Sequence, residues 1–150
     1  MNLKEHVCIC KEGCLVDTTQ SSFSVYGDKT NYQFQNGGHQ RVSKYIVDDC
    51  VLAALKDDEK CDYLFIVKNS EMEDGYFIEL KGSNVPKAIN QLTNSIRHLK
   101  ANISGVMFGR IICSKFPQAP VTFASNAYIR LRKILNDNLT IKVGQLSESI

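Results

Sequence analysis

Asp62, the run Glu79-Leu80-Lys81 and Gln91 are the residues of this sequence whose types and spacing suit joint chemistry. Carboxylates are hard oxygen ligands of the kind Mg²⁺ takes. That ion keeps several of its waters, so one or two protein carboxylates suffice to hold it. A bound divalent cation lowers the pKa of a coordinated water and stabilises charge building on a phosphoryl oxygen. Lys81 would orient or help deprotonate the attacking water, or stand as a cation beside the transition state. The chemistry implied is metal-assisted hydrolysis of a phosphodiester. Two plainer readings stand beside it: Glu79 and Lys81 as a solvated cross-strand pair, and Asp62 as the cap of a turn.

The elements decide whether these groups can meet. Gly75 to Gly82, "GYFIELKG", has strand composition, and alternation turns Tyr76, Ile78 and Leu80 to one face and Phe77, Glu79 and Lys81 to the other. Upstream, "CDYLFIV" is a strand too apolar to be exposed on both faces. "KNSEMEDG" then forms a polar connection with Asp74-Gly75 as its turn signal, completing a hairpin. If residue 68 opposes residue 75, Asp62 falls opposite Lys81 and Glu79 opposite Leu64, all on one face. A slip of one residue would turn Asp62 away.

After Gly82 the apolar period changes from two to about 3.6. Ile89, Leu92, Ile96 and Leu99 predict a helix over 84–100, with Ser83 or Asn84 as N-cap and Pro86 in the first turn. "ISGVMFGRIICSKF" reads as a strand, and Pro117 and Pro120 mark a loop. "ASNAYIRLRKILNDN" reads as a second helix with Ala127, Leu131, Ile134 and Leu135 inward, and "LTIKV" as a last strand. The N-terminal part to about Asn36 consists of short apolar pieces, "VCIC", "CLV", "FSVY" and "YQF", and reads as short strands and turns. Val42 to Leu52 reads as a strand with a helical ending possible. The fold class expected is α/β, a mixed central sheet flanked by helices with a β-rich N-terminal segment, in one domain spanning 1–150.

Composition excludes other classes. With 43% hydrophobic and 23% charged residues and no apolar run near 20 residues, neither a disordered nor a membrane-spanning chain is expected. Lys4, Glu5 and His6 interrupt any secretory h-region, which points to the cytoplasm. The six cysteines then read as reduced, small apolar residues. Cys8, Cys10 and Cys14 could otherwise supply a zinc site, although no second ligand pair follows. A net charge of +2 neither supports nor excludes nucleic acid, and Arg97, His98 and Lys100 with Arg130, Arg132 and Lys133 read first as solvated faces.

Asp62, a 16-residue interval, Glu79-Leu80-Lys81 at the end of a hairpin and a following helix bearing Gln91 resemble the PD-(D/E)xK nuclease superfamily. This is the restriction-endonuclease-like fold shared with archaeal-type Holliday junction resolvases, and the likeness covers about Tyr45 to Phe116. It implies that Asp62, Glu79 and the Leu80 carbonyl bind Mg²⁺, with Mn²⁺ as substitute, and that Lys81 is catalytic. Gln91 would border the site. It further implies an endonuclease, acting on DNA more than RNA, and a domain this small, with little surface for reading a long sequence, is expected to cut structure-selectively, with a partner protein or as a homodimer. The proline of the motif is replaced by Cys61. No amphipathic helix bearing an extra acid is evident before Val42, and Asp48 and Asp49 either supply a further ligand or end a strand. The alternative is a nuclease-fold module that has lost cleavage and binds nucleic acid or a partner protein.

Overall fold

The computed structural model describes Leu3, residues 13–115 and residues 123–150. It is a mixed α/β structure with two sheets. The larger sheet has six strands in the order β1-β4-β5-β6-β7-β8: β1 (Leu15–Thr18), β4 (Val42–Ile46), β5 (Tyr63–Asn69), β6 (Met72–Lys81), β7 (Met107–Cys113) and β8 (Leu139–Val143). Pairing is antiparallel from β1 to β6 and parallel from β6 to β8. Helix α1 (Val85–Leu99) makes the crossover between β6 and β7, and α2 (Asn126–Ile134) precedes β8. The smaller sheet orders β2 (Ser22–Tyr26), β3 (Asn31–Gln35) and β9 (Gln145–Ser149).

Alternation along β5 and β6 feeds two cores. Leu64, Ile66 and Phe77 pack with Ala88, Ile89, Leu92 and Ile96 of α1 and with Leu131 of α2. Phe65, Tyr76 and Ile78 pack on the opposite face with Phe23, Tyr32, Phe34 and Leu146 of the small sheet. The central strands are therefore covered on both sides, which accounts for their nearly continuous apolar sequence. Glu148 of β9 accepts hydrogen bonds from the Tyr32 hydroxyl and from Arg110 Nε (2.9 Å), tying the small sheet to β7. The sequence reading stopped at β8 and had no counterpart for β9, because "QLSES" offers one buried residue, Leu146.

Helix α1 begins where its spacing predicts. Asn84 caps it by accepting the Lys87 N–H (3.1 Å), Pro86 lies in the first turn, and Ile89, Leu92, Ile96 and Leu99 are all buried. In α2, Leu131 and Leu135 are buried as expected, whereas Ile134 is exposed.

Three further expectations are corrected. The hairpin turn is Ser70-Glu71, with Ser70 at φ 42° and Asn69 facing Met72, so Asp74 and Gly75 lie within β6. Asp74 accepts from the Asn69 amide and from Val106 N–H (2.7 Å), fastening the loop that follows α1. Gly75 is required by close approach: a Cβ there would lie 2.7 Å from Ile103 Cδ1. Gly75→Ala is expected to destabilise the fold by about 1–3 kcal/mol in denaturant titration, the usual cost of forcing a methyl into a packed core.

Second, β4 ends at Ile46, and Val47–Val51 forms a π-helical turn that buries Val47, Cys50 and Val51. The strand is shorter than expected, and the helical ending left open for Val42 to Leu52 begins at Val47. Third, Cys14 and Cys50 form a disulfide with Cα atoms 5.8 Å apart, where reduced thiols were expected; Cys61 and Cys113 are free and buried. Pairing of β1 with β4 carries Cys14 to the turn bearing Cys50, a proximity across 36 residues that composition does not encode. The strand expected at "VCIC", with Cys8 and Cys10, and the loop at Pro117 and Pro120 lie outside the described residues.

Candidate metal centre

The site is built where β5 begins and β6 ends. Asp62 N–H donates to Glu79 Oε2 (3.0 Å), and Leu80 N–H donates to Asp62 Oδ2 (2.9 Å). Each strand's backbone thus holds the carboxylate of the other. Continuing the Tyr63–Ile78 pair by one residue sets Asp62 opposite Glu79, not opposite Lys81. The register differs from the sequence expectation by two residues because the turn is centred one residue earlier, on Ser70-Glu71. A shift of two keeps every side chain on its face, so Asp62 and Glu79 still share the α1 side.

The two carboxyl groups act on each other electrostatically. Glu79 is only 2% exposed. Burial, and then the Asp62 carboxylate, push its pKa up to about 9, against the opposing pull of Lys81 and of the Asp62 N–H. Asp62 is also raised, by burial first and by Asp48, while the Leu80 N–H and Lys81 draw it down. Two acids pressed together out of water require either a shared proton or a cation between them. Lys81 supplies part of that charge.

Among the described residues no group of three or more His, Cys, Asp or Glu side chains is placed to hold a metal. Two desolvated carboxylates still fit Mg²⁺, which completes its shell with water and substrate oxygens. The Leu80 carbonyl is the third donor named by the resemblance.

Helix α1 supplies the border. Gln91 is 8% exposed, and its Nε2 donates to the Lys60 carbonyl (2.9 Å), while its Oε1 is buried with no hydrogen-bond partner among the described residues. One turn on, Ser95 Oγ accepts the Cys61 N–H (2.8 Å). Cys61, standing at the motif's proline position, therefore uses an N–H that proline lacks. On the other side, Asp62 O accepts the Val47 N–H (2.9 Å) from the π-helical turn. The segment 60–62 is held by α1, β6 and that turn at once.

Asp48 lies in the π-helical turn, pairs with Lys60 (3.4 Å) and acts electrostatically on both site carboxylates. Lys60 was not singled out in the sequence, where it closes the charged run "KDDEK". The available signal was its place two residues before Asp62.

An open cleft of about 240 Å³ is bordered by Asp48, Lys60, Lys87 and Gln91 among others. A smaller one, about 140 Å³, is lined by Arg41, Tyr45, Lys68 and Glu73 toward the other end of the β4–β5–β6 ladder and includes none of the site residues. His98 contacts Asp58 (3.2 Å), and Arg97 reaches the same carboxylate (4.0 Å). His39 contacts the Thr19 carbonyl. Arg132 pairs with Asp137 (2.7 Å).

Comparison with protein-family models, with curated proteins and with solved structures gave no match to this chain.

Proposed function

We propose that the chain is a divalent-cation-dependent nuclease of the restriction-endonuclease-like type, acting on DNA in preference to RNA. One observation carries the reading: the reciprocal backbone clamp that buries the Asp62 and Glu79 carboxyls together with Lys81 beside them. A salt-bridged strand end has no need of two adjoining desolvated acids. The order of elements agrees, with an acid entering the first hairpin strand, Glu-x-Lys leaving the second, and a helical crossover to a parallel strand.

In this reading Asp62 and Glu79 would hold Mg²⁺, which when bound would supply water activation and offset charge on a phosphate. Lys81 stabilises the anionic transition state from the open side, and Gln91, clamped through its amide nitrogen, offers Oε1 as an acceptor to a water or hydroxyl at the site. The test is incubation with supercoiled plasmid, linear duplex, branched DNA and single-stranded RNA, in Mg²⁺ or Mn²⁺ against EDTA. Cation-dependent cutting of DNA is expected. Binding without cutting under either ion would support an inactive nucleic-acid-binding module instead.

A further inference from the structure

We propose that Lys60 is a positioning residue of this centre, setting the Asp48 carboxylate and the Gln91 carboxamide against the Asp62–Glu79 pair. The inference rests on the cation-site part of the functional reading above and goes beyond the residues the motif names.

Lysine is rarely buried unless paired, yet Lys60 is only 7% exposed. Its ammonium donates to the Leu55 carbonyl (2.7 Å) and the Leu52 carbonyl (3.3 Å), and pairs with Asp48 Oδ1 (3.4 Å). Those carbonyls lie just past the π-helical turn, where a cation also favours the helix end. The same residue's backbone carbonyl accepts from Gln91 Nε2. That bond fixes which end of the carboxamide is committed and leaves Oε1 buried, unpartnered and beside the cleft lined by Asp48 and Lys60. A buried acceptor without a partner is costly, about 1–3 kcal/mol, which points to a hydrogen-bond donor as the ligand it meets. Water on a hydrated divalent cation is such a donor.

Lys60 thus couples three elements around Asp62, two residues away. The ammonium fixes the turn carrying Asp48 and the carbonyl fixes α1 through Gln91. A charge this close to a cation site would by itself weaken cation binding, so its retention is explained by what it holds in place.

That opposition of sign makes the test decisive. Mn²⁺ binding to the full chain is measured by calorimetry for wild type, Lys60→Met, Asp48→Asn and the double variant. Positioning predicts that Lys60→Met weakens Mn²⁺ binding at least threefold, although a like charge has been removed. It also predicts that Asp48→Asn weakens binding alone but adds little in the Lys60→Met background, the non-additivity of groups acting as a unit. Unchanged or tighter binding by Lys60→Met overturns the proposal, as do independent, multiplying effects. Asp48 is half exposed, so Asp48→Asn keeps the test decisive if Lys60→Met does not fold: unchanged Mn²⁺ affinity in that variant alone also overturns it. Wild type that binds Mn²⁺ but cuts nothing removes the nuclease reading and leaves the Lys60 test standing. Wild type that binds no Mn²⁺ removes both.

Discussion

Lys81→Ala is expected to lower Mg²⁺-dependent cleavage by about 10²–10³-fold, the usual cost of deleting one preorganised electrostatic group at a transition state. Folding should be nearly unaffected. Lys81 is partly exposed, and among the described residues its ammonium enters no ion pair that stabilises the fold. Its charge acts on the acids, lowering both Asp62 and Glu79 against the pull of burial. Removing it raises both acids further but also takes a like charge from beside the cation, so turnover should fall without a matching loss of cation binding. Steady-state kinetics beside thermal unfolding separates the outcomes. Cleavage within twofold of wild type would remove Lys81 from the mechanism, and a large loss of Tm would assign it to the fold.

Glu79→Gln is expected to have two opposite effects. Cation binding and cleavage should be lost, because a carboxamide is a far weaker ligand for Mg²⁺ than a carboxylate. The cation-free protein should become more stable at and above neutral pH. Glu79 moves from 4.5 when solvated to about 9 in the fold, so the folded state binds its proton more tightly than the unfolded chain does. The stability this contributes is complete below about pH 4.5 and is lost as pH rises toward 9. Wild type without cation should therefore lose stability across that window, and Glu79→Gln should flatten the slope. Replacing a strained, charged site group commonly stabilises a protein at the expense of function. A divalent cation should restore wild-type stability by binding the folded state alone, releasing the Glu79 proton, with affinity that rises with pH over the same range. Urea titrations at several pH values, with and without Mn²⁺, measure both effects. A pH-independent difference between wild type and variant would contradict the buried-pair description.

The sequence carried the site further than it carried the hairpin that builds it. Alternation alone placed Asp62 and Glu79 on one face, and that survived a two-residue error in register because side-chain direction repeats every two residues. The turn was misplaced because Asp74-Gly75 has the letters of a turn, while its physical constraints come from the Ser104–Val106 loop and from Ile103. Helix α1 was legible because its apolar period, its cap and its Pro86 all agree. The π-helical turn was legible only as a possible helical ending to the strand, since five residues are too few to set a period. Lys60 was hidden for another reason. In sequence it is one charge among five in a polar turn, and only the packing of Leu52 and Leu55 around it makes it buried. The Tyr32–Glu148–Arg110 link spans more than a hundred residues and leaves no local pattern.

Crystals grown with Mn²⁺ and measured at its absorption edge test the central claim most directly. The account predicts an anomalous peak between the Asp62 and Glu79 carboxyl groups, within about 2.0–2.4 Å of an oxygen from each, the distance range of hard divalent cations. A peak elsewhere, or none, would contradict it.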